Sequence, residues 1–326
     1  MAAGGGRPPR GSGRFARVAG LDFDALSEEQ VVARIVADLK DGRGGWVATP
    51  NIDICRQARK DPAARDLVSR ASLVVADGMP LVWAARLRGD RLPERVAGAS
   101  LIFTLSAAAA EHGRSIYLLG GELGVPERAA SELARRYPGL LVAGVDAPPV
   151  GFDRQSGELA AVRRRLEEAR PDIVYVGLGF PKQERVIAAI APGMPTAWFV
   201  GCGAAIPFAA GQLPRAPRWM QQLGLEWFYR LISEPRRLFR RYLVEDLPFA
   251  LGLIMTSAVA RLRAGPAAVA SSRAGRLLLG PLPALAPQRQ LGGPPSQRAR
   301  RSSCGRKYSL SLARSASGMG ERGRAL

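Results

Sequence analysis

Residues 172–203, DIVYVGLGFPKQERVIAAIAPGMPTAWFVGCG, hold the pattern that decides the fold. DIVYVGLG is an apolar run of strand length ending in glycine, and a helical stretch over Gln183–Ala189 follows it. TAWFVGCG then repeats the first pattern. Apolar runs of strand length alternating with helices predict parallel βαβ units whose strands are covered on both faces. The alternation continues towards the N-terminus. It runs through GGWVAT, a helix from about Asp53 to Ser69, SLVVAD, a helix over Leu101–Glu111, SIYLLGG, a helix over Pro126–Tyr137, LLVAGV and a helix over Glu158–Ala169. Ahead of these, the capping box Ser27-Glu28-Glu29-Gln30 opens a helix through VVARIVADL. The expected class is α/β, a parallel sheet flanked by helices.

In such sheets ligands bind outside the carboxyl ends of the strands. The segments found there are Thr49-Pro50-Asn51-Ile52-Asp53, Asp77-Gly78-Met79-Pro80, Gly120-Gly121, Gly177-Leu178-Gly179-Phe180-Pro181-Lys182-Gln183-Glu184 and Gly201-Cys202-Gly203-Ala204. Each is marked by glycine, proline or polar residues, and that convergence points to a site. Gly120 and Gly179 suit close approach of backbone N–H groups to phosphate. Neither GGELGV nor GLGFPK completes the dinucleotide fingerprint, however, and the Walker pattern is absent. Asp77 ends an apolar run in ADGMPLVWAARLRGDRLPERVAG (76–98), with Glu94-Arg95 a short way on. Asp-Gly is a turn signal, and an acid past a buried strand is equally a placed base; the residues alone leave both readings open. Thr49 and Asn51 offer neutral hydrogen bonds, Gln183 an amide, and Arg95 a cation able to grip phosphate with two bonds. Together they suit sugar transfer from a nucleotide diphosphate. The base takes the acceptor's hydroxyl proton, and the cation stabilises the departing diphosphate without a metal.

The formal charge of +19 on 326 residues suggests a nucleic-acid binder until it is located. Residues 261–326 hold thirteen Arg and Lys against Glu321, and residues 1–20 hold four arginines and no acid, which leaves +3 for 21–260. Both ends are rich in Gly, Pro, Ser and Arg, a composition that cannot bury a core. Residues 1–18 and 262–326 are therefore expected to be disordered basic segments, and no nucleic-acid partner is expected. Cys55, Cys202 and Cys304 have no CxxC spacing, which argues for a reducing compartment and against a disulfide framework or zinc site. No apolar h-region follows the N-terminal charges, so no secretory signal is visible. His112, the sole histidine, lies in EHGR at an expected helix C-terminus and reads as structural. Asp22-Phe23-Asp24 matches the metal-binding DxD of many sugar transferases, but it is expected to lead into a helix, not to leave a strand.

From Leu213 the character changes. LPRAPRWMQQLGLEWFYRLISEPRRLFRRYL carries seven arginines, and Ser233 is placed to cap a helix with Pro235 in its first turn. Leu238, Phe239, Tyr242 and Leu243 fall on one face of that helix, with Arg236, Arg237, Arg240 and Arg241 opposite. LPFALGLIMTSAVA, uncharged, follows and is shorter than the ~20 residues of a membrane span. The pair fits a segment lying in a membrane interface, and equally a core helix with a solvated face.

With these residues in hand, the chain resembles the WecB/TagA/CpsF family of bacterial glycosyltransferases (glycosyltransferase family 26). The resemblance is carried by TPNID (49–53), the 76–98 stretch, YLLGG (117–121), VGLGFPKQE (176–184), FVGCGAAIPFAAGQLPRAP (199–217) and GLEWFYRLISEPRRLFRRYL (224–243). It implies a Rossmann-like core over 19–213 and a helical, membrane-associating appendage over 214–261. It implies inverting, metal-independent transfer of N-acetylmannosamine or a related sugar from a UDP-sugar to an undecaprenyl-diphosphate-linked sugar. The product would enter cell-surface polysaccharide or teichoic acid, made at the cytoplasmic face of the plasma membrane. It places the base on Asp77, pocket residues on Thr49, Asn51, Arg95 and Gln183, and lipid-diphosphate contacts on Arg230, Arg237 and Arg241. A homo-oligomer is compatible with it. Glucosyl or glucuronosyl transfer in exopolysaccharide synthesis is the alternative within the family. A non-enzymatic basic membrane- or nucleic-acid-binding protein is the alternative of another class, and a nicotinamide oxidoreductase would need a glycine fingerprint that is missing.

Overall fold

A hairpin of β1 (Phe15–Val18) and β2 (Leu21–Asp24) opens the structure, a computed structural model that describes residues 15–222 and 224–263. The six apolar runs follow as β3 (Gly45–Ala48), β4 (Leu73–Val74), β5 (Ser115–Leu119), β6 (Leu141–Asp146), β7 (Ile173–Val176) and β8 (Trp198–Gly201). They form one parallel sheet in the order β4-β3-β8-β7-β5-β6. Period-two alternation covers both faces of β3, β4, β5, β7 and β8, whereas the edge strand β6 departs from the expected two-sided cover and exposes Leu141 and Val142. Trp46, Ala48, Tyr117, Leu119, Val174, Val176 and Phe199 pack into one core layer; Val47, Ile116, Leu118, Ile173, Tyr175, Trp198 and Val200 pack into the other.

The helices of the sandwich are α1 (Glu28–Lys40), α2 (Ile52–Lys60), α3 (Pro62–Ser69), α4 (Met79–Arg88), α5 (Gly98–Glu111), α6 (Val125–Arg136), α7 (Ser156–Ala169), α8 (Lys182–Ile190) and α9 (Ala205–Ala209). α1, α5, α6 and α9 cover one face, while α2, α3, α4, α7, α8 and the β1–β2 hairpin cover the other. The capping box at Ser27 and Gln30 is present at α1. His112 is the C-cap of α5, and Cys55 and Cys202 are free, buried thiols.

Several expectations are corrected. The single helix from Asp53 to Ser69 is two, because Asp61 caps α3 and Pro62 starts it. α4 has no counterpart among the expected helices. Asp22-Phe23-Asp24 sits on β2, where the Asp24 carboxylate accepts the Val74 N–H at 2.8 Å and ties the hairpin to β4. Residues 15–18, assigned to the basic N-terminus, are strand; the rest of 1–14, and the tail from 264 with Cys304, lie outside the described residues.

The appendage comprises α10 (Arg218–Gln222), α11 (Glu226–Ser233) and α12 (Pro235–Arg263). The amphipathic and apolar segments join as α12, one 29-residue helix that absorbs a wide π-helical stretch at Arg240–Asp246. Ser233 does not cap it. Its hydroxyl donates to the Tyr229 carbonyl at the end of α11, and Glu234 holds the N-cap position. α12 packs on α4 and α2 through Ala250, Leu253 and Ser257. Its opposite face exposes Val244, Leu247, Leu251, Met255, Val259 and Leu262 in a helical stripe. By length and composition α12 is apolar enough to cross a membrane.

Candidate active site

Asp77 follows β4, and its N–H donates to the Pro50 carbonyl in the loop after β3 at 2.9 Å. Arg95 reaches the same place because its neighbour Val96 donates to the Ala76 carbonyl at 2.9 Å. The first N–H of α5, from Gly98, donates to the Asp77 carboxylate. A side chain at Gly98 would be crowded. A Cβ there would lie 3.0 Å from Cys202 Cα and 3.3 Å from Thr49 Oγ1. Glu94 turns away and accepts the Glu28 N–H at 2.7 Å, capping α1 instead of joining Arg95.

The appendage completes the site. Glu226 and Arg230 lie one turn apart on α11, and both act electrostatically on Asp77. Glu226 Oε2 accepts from Arg95 Nη1 at 2.9 Å, while its Oε1 lies 3.9 Å from Arg215 Nε. Arg215 also donates from Nη2 to Ser100 Oγ at 3.0 Å and sits over the Phe103 ring. Arg230 lies over the Phe208 ring, 5.5 Å from its centroid. Burial pushes the Asp77 carboxyl up to about 6; Glu226 adds to the shift, and Arg95, Arg230 and the Gly98 N–H oppose it. A carboxyl in that range is ionised at neutral pH and still basic enough to take a proton.

The neutral residues play narrower parts. Buried Thr49 donates its hydroxyl to the Gly201 carbonyl at 2.9 Å. Asn51 caps α2 by accepting the Ile54 N–H at 3.0 Å, so what it offers a ligand is its amide NH2. Gln183 is 3% exposed, donates to Glu184 Oε1 at 2.7 Å and accepts from the Gly203 N–H at 3.1 Å. It bridges the loops after β7 and β8. Burial pushes the Glu184 carboxyl up to about 7, and its Oε2 has no hydrogen-bond partner among the described residues.

The remaining expected residues stand apart from Asp77. Gly179 and Gly120 follow β7 and β5, three and four strands from β4, roughly 14 and 19 Å away at ~4.8 Å per strand. A Cβ on Gly120 would meet the Gly177 carbonyl oxygen at 2.7 Å, so that glycine serves the contact between two loops. Arg237 is exposed and pairs with Glu234. Arg241 pairs with Asp53 at 2.8 Å, and Arg56 bridges Asp53, Glu245 and Asp246; this network fastens α12 to α2. Only Arg230 of the three expected appendage arginines lies at the pocket. Arg215 and Glu226 were not singled out in the sequence, because their partners lie over a hundred residues away. Among the described residues no group of three or more His, Cys, Asp or Glu stands together as a metal site.

A parallel sheet with a basic carboxylate and three arginines at its carboxyl edge, closed by a helical appendage, is the framework of a group-transfer enzyme. The chain belongs to the glycosyl transferase WecG/TagA/CpsF family, whose profile matches residues 16–263, from β1 to the end of α12. It is a glycosyltransferase. It is similar to an N-acetylglucosaminyldiphosphoundecaprenol N-acetyl-beta-D-mannosaminyltransferase of Bacillus subtilis (strain 168), 33% identical over 60% of this chain and 73% of the relative. Relatives with the same name occur in Bacillus spizizenii, 30% identical over 63% and 77%, and in Staphylococcus aureus (strain MRSA252), 29% identical over 68% and 86%.

Proposed function

We propose that the protein transfers N-acetylmannosamine, with inversion, from its UDP-sugar to N-acetylglucosamine carried on undecaprenyl diphosphate, for cell-surface polysaccharide or teichoic acid. The relatives' names support the sugar and acceptor. The observation that carries the chemistry is the convergence of Asp77 with Arg95, Arg215 and Arg230. In this reading Asp77 accepts the proton of the acceptor hydroxyl as its oxygen attacks the anomeric carbon. The bond from that carbon to the diphosphate breaks, its electron pair leaves with UDP, and the arginines stabilise the developing charge in place of a metal. One-step displacement from the opposite face inverts the anomeric centre. Thr49, Asn51 and Gln183 shape the pocket, and Gly120 and Gly179 line the far end of an extended donor.

The exposed stripe on α12 supports peripheral attachment to the inner face of the plasma membrane. A helix fastened along its flank to α4 and α2 lies on a bilayer more readily than through it. Exposed Arg237 faces anionic headgroups. Leu251→Glu with Met255→Glu is expected to lower cosedimentation with anionic vesicles at least ~10-fold, since each buried aliphatic side chain contributes roughly 1.5–3 kcal/mol. Unchanged cosedimentation would remove the stripe from the membrane contact.

The activity is tested by following UDP release from a panel of UDP-sugars with a short-chain lipid-diphosphate-N-acetylglucosamine acceptor, with and without EDTA. Acceptor-dependent release from UDP-N-acetylmannosamine that survives EDTA is expected. Release only from UDP-glucose or UDP-glucuronate would overturn the sugar, and loss in EDTA would overturn metal independence.

A further inference from the structure

The Glu226 carboxylate is placed as a bridging anion. One oxygen is bonded to Arg95 and the other is turned towards Arg215, in a setting where Glu226 is 8% exposed. Arg215 is pushed below its ordinary pKa by burial, with Arg95 adding to the shift, so Glu226 offsets two neighbouring buried cations. The offset is incomplete. The Nε groups of both Arg215 and Arg230 are buried without any hydrogen-bond acceptor among the described residues. Buried N–H donors left unpaired are costly, more so when charged, and an anionic ligand beside Glu226 would complete these two.

The unpaired Nε groups beside a bridging carboxylate point to an anionic ligand. Arg95, Arg215 and Arg230 face Asp77 and Glu226, and Glu28 acts on Arg95 and Arg215 from the start of α1, so the carboxylates already match the arginines in number. The doubly charged diphosphate of a nucleotide sugar, added with Glu226 in place, would leave an excess negative charge in a water-poor pocket. With Glu226 expelled, that excess falls by one charge and the arginine N–H groups it occupied turn to the diphosphate. We infer that Glu226 is an internal stand-in for the donor's diphosphate, displaced when the nucleotide binds, and that Arg215 is a diphosphate-binding residue alongside Arg95. This rests on the reading that the donor is a nucleoside diphosphate sugar. Because Glu226 lies on α11 and Arg95 ahead of α5, donor arrival breaks one link between appendage and core. The vacated arginines then hold the donor.

The test is calorimetric titration with UDP of the wild type, Glu226→Gln and Arg215→Ala. Glu226→Gln keeps the shape and removes the competing charge, so UDP should bind about tenfold more tightly. Arg215→Ala, which leaves Glu226 paired with Arg95, should bind at least ~10-fold more weakly. The double variant should stay weaker than Glu226→Gln alone, because Arg215 acts on the ligand directly and not only through Glu226. Equal or weaker binding by a folded Glu226→Gln overturns the stand-in role, since a merely structural glutamate gives that result. Unchanged binding by Arg215→Ala overturns its part even if Glu226→Gln does not fold. A wild type that binds neither UDP nor inorganic pyrophosphate overturns the donor reading itself, and this inference with it.

Discussion

Asp77→Asn is expected to reduce acceptor-dependent UDP release at least ~100-fold, within the 10²–10⁴ range of a lost general base. UDP binding should survive nearly intact. The amide keeps the carboxylate's shape and can still accept the Gly98 N–H, but it cannot take the hydroxyl proton. Asp77 acts as a base only when ionised. Its carboxyl titrates at about 6, so the wild-type rate should be full above that pH and fall as pH drops through it. The variant should lose that acidic limb. Turnover within threefold of wild type, or an unchanged acidic limb, would reduce Asp77 to a turn residue.

Arg95→Lys is expected to lower turnover by about 10²–10³, the effect of removing one preorganised group at a developing anion. Lysine keeps the charge but not the flat, two-pronged donor set that grips a phosphate with two bonds. Alanine would confound the measurement, because two neighbouring carboxylates, Asp77 and Glu226, would lose their cation. The loss should appear in kcat at saturating donor as well as in kcat/KM, since the diphosphate charge grows as the sugar leaves. A rise in KM alone would assign Arg95 to ground-state binding.

Local pattern carried much of this architecture. The six apolar runs became the six strands; five are buried, and a strand buried on both faces must be apolar throughout its length, while β6 stays half-covered at the edge. Asp77 was legible as a strand-end acid, and Arg95 as a nearby cation in the same stretch. The appendage was legible as arginine-rich and apolar, but the joining of its last two segments into α12 was not. The wide turn at Arg240–Asp246 is favoured by Asp246 and Arg241 meeting Asp53 and Arg56, and no helical periodicity encodes that distant network.

The sequence by itself determined the layer order of strand and helix, the glycine- and acid-bearing loops, and the confinement of surplus charge to the ends. Those properties depend on residues within about a turn of one another. Tertiary structure alone decided which charges meet. It sent Arg241 to Asp53 and Glu94 to α1, and it brought Gln183 to the Gly203 N–H. It also drew Glu226 and Arg215 up to Arg95. Such contacts act over a few ångströms through space, and the packing of distant elements sets those distances, not the spacing of residues along the chain.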